Sequence, residues 1–172
     1  MGILSGNPKD EPMHYGEVFG VWKFSSMAKL GLSSLQAFQY HAGDKELKDV
    51  IKDMIDQIKL EIKECDELLT SNSIAPAPGY PERPEAKLEE IPVGARLTDP
   101  EIAAAIAAEN VAALMLCSQN IGLCIREDIA ALFVKYHTAK VAIGAKILRL
   151  TKEKGWLVPP PLQIRRPEPV HA

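Results

Sequence analysis

The sequence lacks the signals of several protein classes. It has only three cysteines, Cys65, Cys117 and Cys124, and none forms a CxxC pair. We therefore expect reduced thiols within helices rather than disulfides or a cysteine-built metal site. No apolar run reaches the roughly 18 residues that a membrane span needs, and we expect no secretory leader because charged residues and prolines soon follow the first methionine. Lysine and glutamate are interspersed in a chain of net charge −3, a pattern that does not favour nucleic-acid binding.

Catalytic and metal-binding motifs are also scarce. Di-metal helical bundles use a Glu from each of two helices and a Glu-x-x-His from each of the other two. The literal match from Glu11 to His14 is interrupted by Pro12, and no Gly-rich phosphate loop is present. The four histidines are scattered along the chain: His14, His41, His137 and His171. We predict no catalytic residue, no metal ligand and no cofactor.

The strongest pattern that is present lies between Asp44 and Leu69. Its apolar residues recur at helical spacing, and lysines at positions such as 48, 52 and 59 fall between them. This predicts an amphipathic helix of roughly 39 Å, at 1.5 Å per residue. A helix that is apolar along one side needs partners of similar length, and three other segments can supply them.

Capping signals predict where four helices begin and end. Gly43 and Asp44 suit a helix stop followed directly by an N-cap, so the first two helices should form an antiparallel hairpin. Thr98, Pro100 and Glu101 open a later helix with a capping box. We predict a flexible leader at 1–12, a bundle at 13–158 with helices at about 13–42, 44–72, 99–121 and 124–154, and an extended Pro-rich tail at 159–172.

Residues 75–97 contain five prolines and two glycines and should form no long regular element. A segment of that length inside a compact domain needs an explanation, and a crossover that travels the length of the bundle supplies one. The predicted fold is therefore all-α, a ferritin-like four-helix bundle with one long crossover between helices 2 and 3.

Three carboxylates fall in the apolar seams of these helices: Glu17, Glu61 and Glu109. Buried carboxylates require partners, and candidates are Lys29, Arg126, Lys135, Tyr136 and Lys140. Counting residues from the turn at Gly43 places Glu17 and Glu61 roughly 12 Å apart in level, which disfavours a shared metal site. We predict ion pairs or buried hydrogen bonds for these groups.

Several of these segments resemble a known family. They are the end of helix four (Leu150 to Leu157, then Pro159 to Pro161), the start of helix three (Leu97 to Ile102) and the start of helix four (Arg126 to Ile129). Over about residues 13–161 the chain resembles ferritin-like proteins of endospore-forming bacteria related to spore coat protein F, which often carry this unit twice in tandem. The resemblance implies a four-helix bundle and a coat-associated role without enzymatic chemistry. It assigns no residue a catalytic role, because the matching motifs mark helix ends.

We therefore expect a non-enzymatic component of the spore coat, made in the mother-cell cytoplasm, or otherwise a cytoplasmic protein. Its partners would be other coat proteins and a second copy of the chain, joined through the small residues of helix three and Phe19 or Trp22 of helix one. One alternative is a di-metal oxidase or catalase-like enzyme with an atypical ligand set. Another is a small-molecule or peptide-binding bundle with a cavity lined by helices one and four.

Overall fold

The computed structural model describes residues 11–163, in which four long helices and no strand are present. It confirms the all-α bundle and the long crossover between the second and third helices. Two short 3₁₀ turns, Leu88–Glu90 and Val93–Ala95, interrupt the crossover. The helices are α1 (Tyr15–His41), α2 (Lys45–Ser71), α3 (Asp99–Leu123) and α4 (Glu127–Glu153).

Local hydrogen bonds set most of the helix ends. The Asp44 side chain accepts from the Leu47 N–H at the start of α2, and the Glu101 carboxylate accepts from the Thr98 N–H at the start of α3, at 2.7 Å. Just past α4, Gly155 has φ +71°, a conformation that costs glycine little and other residues more. Gly43 and Asp44 also donate their N–H groups to the carboxylate of Asp99, so the α1–α2 turn is tied to the start of α3.

The junction between α3 and α4 differs from the predicted positions. Helix α3 runs on to Leu123 rather than ending near 121, and the buried Asn120 in its last turn donates its side-chain N–H to the Gly20 carbonyl at 3.4 Å. Helix α4 begins at Glu127 rather than at 124. The N–H groups of Ile125 and Arg126 instead bind the Glu17 carboxylate.

The helices pack as two antiparallel hairpins, α1 with α2 and α3 with α4, and α1 also packs against α3 and α2 against α4. The start of α2 and the end of α4 meet at one end, where Lys154 binds Asp44 at 2.9 Å. Since α2 and α3 run in the same direction, the chain must return along the bundle between them. The crossover provides this return path.

The crossover runs along the outside of α1. Lys29 donates to the carbonyl of Ala77, and Arg83 donates to the carbonyl of Ser33 at 3.1 Å. At the C-terminal ends of α1 and of the crossover, the Leu97 N–H donates to His41 Nδ1 at 3.1 Å. Each contact lies further along both segments than the one before, so the crossover covers the second half of α1 and leaves the first half open.

The interior contains two clusters of buried side chains. The cluster nearer the α1–α2 turn is aliphatic and includes Leu35, Ile51 and Ile106. The other cluster is aromatic and sulfur-containing: the Phe24 ring stacks on Tyr136 with centroids 5.4 Å apart and meets Phe133 edge-on at 5.2 Å. Between the two clusters along α2 lies Glu61.

Candidate functional site

A buried ion pair joins α2 to α4 in the middle of the bundle. Lys140 Nζ donates to both oxygens of Glu61, at 2.9 and 2.7 Å, and the two side chains are 8% and 0% exposed. Gln57 donates a further hydrogen bond to the same carboxylate at 3.0 Å, and Lys140 Nζ lies 5.6 Å from the centre of the Phe24 ring. Glu61 is therefore neutralised by a cation of the protein itself, one of the partners considered from the sequence.

A second polar group lies one turn further along α2. The Tyr136 hydroxyl donates to Glu64 Oε2 at 2.9 Å, and Lys135 binds the other oxygen of the same carboxylate. Burial raises the pKa of the neighbouring Cys65 thiol to about 12, and burial also raises the pKa of Tyr136. Both groups keep their protons at neutral pH, so neither is an activated nucleophile.

Burial also raises the pKa values of the other two cysteine thiols. Burial raises the pKa of Cys117 to about 12 and that of Cys124 to about 11. All three cysteines are free, in agreement with the expected reduced thiols. A thiolate is the reactive form of cysteine, and these environments suppress it.

Glu17 has a different environment from Glu61. Its Oε1 accepts from the N–H groups of Ile125 and Arg126, both at 2.7 Å, and its Oε2 accepts from the N–H of His14 at 3.1 Å. The side chain thus ties the start of α1 to the connection between α3 and α4. Its hydrogen bonds to three backbone groups account for its burial, and we assign it a structural role.

Glu109 of α3 is the least satisfied of the three seam carboxylates. Burial raises the pKa of its carboxyl group. No lysine, arginine or histidine among residues 11–163 lies within ion-pair distance of it. The side chain lines the wall of a cavity between α1 and α3.

That cavity has a volume of about 300 Å³. Helices α1 and α3 are joined at both ends, through Gly20 with Asn120 and through Gly43 with Asp99, and they separate between these points. The walls come mainly from α1 and α3, Met54, Gln57 and Ile58 of α2 also line the cavity, and we call the Glu61–Lys140 pair its floor. The lining is mainly apolar, with Met27, Leu30 and Gly31 from α1 and Ala112, Ala113 and Leu116 from α3. The cavity expected from the sequence had walls from helices one and four, whereas α4 contributes only Lys140 and Ile143.

The described part of the chain offers no donor set for a di-metal centre. No three His, Cys, Asp or Glu side chains come together there as a metal site requires. Two histidines make backbone contacts instead, His14 with Gly16 and Leu123 and His41 with Leu97. His171 lies outside the described residues, as do the proposed leader up to residue 10 and the tail from residue 164.

The outer surface of α3 is unusually apolar. Between Glu101 and Arg126 the only charged residue is Glu109, and the outward side chains of Val111 and Met115 are 55% and 69% exposed. Among the helices described, α3 is the one long and apolar enough to cross a membrane, judged by length and composition alone. Its buried side carries Asn110 and Asn120, which bond to α4 and α1, as expected for a helix packed in a bundle.

Exposed apolar residues of α1, four in its open first half and Leu30 just beyond it, add to this surface. Tyr15, Phe19, Trp22, Met27 and Leu30 are 94%, 62%, 36%, 51% and 44% exposed. Because α1 and α3 are neighbours, we call these five residues together with Val111 and Met115 the α1/α3 face. The aromatic residues Phe19 and Trp22 were singled out from the sequence, whereas Met27 and Leu30 were not.

Sequence reasoning also missed two close helix contacts. At Gly20 an added Cβ would lie 2.5 Å from Asn120 Oδ1, and at Gly144 it would lie 2.8 Å from Asn110 Nδ2. Each glycine faces a buried asparagine that bonds to a backbone carbonyl of the neighbouring helix, Gly20 or Lys140. The sequence does show glycines in some helices and asparagines at buried positions of α3, which could have suggested close helix contacts. It does not show which glycine meets which asparagine.

Comparisons with known proteins give a consistent picture. A family model described as a protein of unknown function (DUF3231) matches residues 1–168. The chain is 49% identical over 166 residues to the uncharacterized protein YvdQ of Bacillus subtilis (strain 168), covering 96% of this chain and 98% of that protein. It is also similar to the crystal structure of a "putative spore coat protein" from Bacillus halodurans C-125, with a TM-score of 0.90 and 46% identity, covering 92% of this chain and 100% of that one.

Proposed function

The chain belongs to the DUF3231 family, whose function is unknown, and from that premise we propose that it is a non-enzymatic structural component of the bacterial spore coat. It acts by packing through the α1/α3 face against a second copy of itself and against other coat proteins. Support comes from the Bacillus halodurans protein, whose name refers to the spore coat and whose structure superposes over nearly the whole chain. The same proposal includes kinship with the ferritin-like proteins related to spore coat protein F, supported by the long crossover that joins two hairpins.

The observation that carries the proposal is the composition of the α1/α3 face. A helix on the surface of a soluble protein normally carries charged residues on its outer side, and a helix that is apolar all round is buried by something else. Helix α3 has one charged residue between Glu101 and Arg126, and five large apolar residues of α1 lie beside it with substantial exposure. An exposed apolar surface of this kind marks a contact with another protein.

A second copy of the chain is the first partner that we propose for this face. Most soluble oligomers are symmetric dimers in which the same surface is used on both subunits. Exposed large apolar residues are most numerous on α1, which has five, while α3 and α4 expose three each. A self-complementary contact needs only one surface, and we place it on the neighbouring helices α1 and α3.

The interior favours a structural role over catalysis. Its buried cations are paired with carboxylates, Lys140 with Glu61 and Arg126 with Asp128, and its thiols are held in the protonated form. Two of the three seam carboxylates, Glu17 and Glu61, are fully engaged in contacts that join helices. We propose on these grounds that no residue of the bundle interior takes part in a reaction.

The test is to follow a fluorescent fusion of the full chain in an endospore-forming host. We expect the signal to appear in the mother cell during sporulation and then to move to the surface of the developing spore. Extraction of purified spores should release the protein with the coat fraction. A diffuse signal in vegetative cells, with none in the spore, would contradict the proposal.

A further inference from the structure

We propose that the cavity between α1 and α3 binds a small, uncharged, mainly aliphatic molecule that carries one hydroxyl or carbonyl group. This site does not presuppose the coat assignment, although Met27 and Leu30 belong both to its lining and to the α1/α3 face. The inference depends on three features of the cavity: its size, the polar group at its floor and the balance of charge around it.

The size of the cavity limits its ligand. A volume of about 300 Å³ has room for roughly ten non-hydrogen atoms if each needs about the 30 Å³ of a water molecule in the liquid. This volume is at the small end of the range for ligand pockets. The walls include Met27, Leu30 and Leu116, whose flexible side chains adapt to an aliphatic chain better than to a rigid ring.

The floor of the cavity supplies a hydrogen-bond donor. A lysine ammonium has three N–H groups, and among residues 11–163 Lys140 Nζ donates to the two oxygens of Glu61 and to no other acceptor. Its side chain is 8% exposed and lines the cavity. The third N–H of a buried ammonium needs an acceptor, and an oxygen atom at the end of a ligand would provide one.

The charges around the cavity select against ions. The charges of Glu61 and Lys140 cancel, and Glu109 adds either no charge or one negative charge according to its protonation. A carboxylate ligand would lie beside two carboxylates of the protein, and an ammonium ligand would lie beside Lys140. An uncharged oxygen avoids both repulsions, and Glu109 in its protonated form would be a second donor to it.

The methionine methyl groups allow a direct test in solution. Met27 and Met54 line the cavity, whereas Met115 lies on the outer side of α3 and is 69% exposed. With the full chain labelled at its methionine methyls, titration of 1-nonanol should shift the Met27 and Met54 signals to saturation and leave the Met115 signal unchanged. Nonanoate should bind at least tenfold more weakly. An absence of saturation, equal shifts at Met115, or nonanoate binding as tightly as nonanol would overturn the proposal.

A pair of variants locates the site independently. Ala113 lines the cavity, so Ala113→Leu should fill it and weaken 1-nonanol binding at least tenfold. Ala142→Leu places the same side chain on the exposed side of α4 and should leave the affinity unchanged. If Ala113→Leu bound 1-nonanol as the unmodified chain does, the ligand would lie elsewhere and the proposal would be wrong. Should Ala113→Leu fail to fold, the comparison of nonanol with nonanoate still decides.

Discussion

Helices α2 and α3 occupy opposite corners of the bundle and differ in length by only two residues, yet they differ in composition on both sides. Helix α2 carries charged residues in every turn, and its outer side presents lysines such as Lys59 and Lys63 to water. The outer side of α3 is uncharged around Val111 and Met115. The same core-forming role therefore does not explain both sequences, and the proposed interface would account for the uncharged outer side of α3.

The inner sides of the two helices differ as well. Glu61 in the seam of α2 is fully buried and neutralised by Lys140. Glu109 in the seam of α3 is half-buried at the cavity wall, and burial raises the pKa of its carboxyl group. Both carboxylates line the cavity, but the one in α2 is paired with a lysine of α4, whereas the one in α3 has no cation within ion-pair distance among residues 11–163.

The largest effect should come from breaking the ion pair. Replacing Lys140 by Met leaves Glu61 as a buried charge without its cation, and losing one partner of a buried pair costs about 3–5 kcal/mol. We expect the free energy of unfolding, measured in urea at pH 7, to fall by that amount. The double variant Lys140→Met with Glu61→Gln removes both charges and should regain most of the loss. A single variant within about 1 kcal/mol of the unmodified chain would show that the pair is not buried as described.

The next effect concerns association rather than folding. Met115→Asp places a charge on the α1/α3 face, and a Met side chain contributes about 1.5–3 kcal/mol when fully buried. Because a symmetric dimer carries the change on both subunits, we expect the dimer to weaken by at least about tenfold, measurable by sedimentation equilibrium over a range of concentrations. The matched control is Leu60→Asp on α2, where Leu60 is 42% exposed, and it should leave the mass unchanged. An unmodified chain that is monomeric at every concentration would contradict the proposed interface.

The helices and the fold could be predicted because their signals are local. Gly43 and Asp44 mark one turn, Thr98 and Glu101 mark the start of α3, and the prolines of 75–97 exclude a fifth long helix. The end of α3 was placed two residues too early because the weak helix formers Asn120 and Gly122 suggest a break, whereas Asn120 bonds to Gly20 from within the continuing helix. That bond connects residues 100 positions apart, and local propensity carries no information about it.

The site was less predictable for the same reason. The seam position of Glu61 followed from periodicity, but five residues were candidate partners. Selection of Lys140 depends on how α2 and α4 are rotated about their axes. The cavity depends on the separation of α1 and α3, which is set by contacts at Gly20 and Gly43 with Asn120 and Asp99. No pattern in either helix alone encodes that separation.

A smaller effect should follow from Glu109→Gln and should depend on pH. Because burial raises the pKa of Glu109 in the folded chain, the unfolded chain releases this proton first as the pH rises. The stabilising contribution of the protonated group is complete below about pH 4.3, the ordinary pKa of a glutamate, and is lost as the pH rises through the folded-state pKa. Relative to the unmodified chain, Glu109→Gln should therefore gain stability from pH 4 to pH 7, by less than Lys140→Met loses.

Urea unfolding at several pH values measures this difference. Glu67→Gln is the matched control, because the Glu67 side chain on the outer side of α2 is 66% exposed. It should show a weaker dependence on pH. A Glu109→Gln difference that is flat or of opposite sign would mean that Glu109 is more hydrated than its position at the cavity wall indicates.

The smallest effect is expected on the outer side of α2. Lys63 and Glu67 form an i,i+4 pair at 3.9 Å with side chains 71% and 66% exposed, and such exposed pairs contribute at most about 0.5 kcal/mol. Lys63→Ala should therefore change the free energy of unfolding by at most about that amount and should leave the mass of the assembly in solution unchanged.

Val111→Ala on α3 also shortens an exposed side chain. It should leave the free energy of unfolding of the monomer nearly unchanged, because Val111 is 55% exposed in the single chain. It should nevertheless weaken association, since its methyl groups belong to the proposed contact. If Val111→Ala also left association unchanged, the outer side of α3 at Val111 would take no part in a contact between two copies, which would contradict the proposed interface.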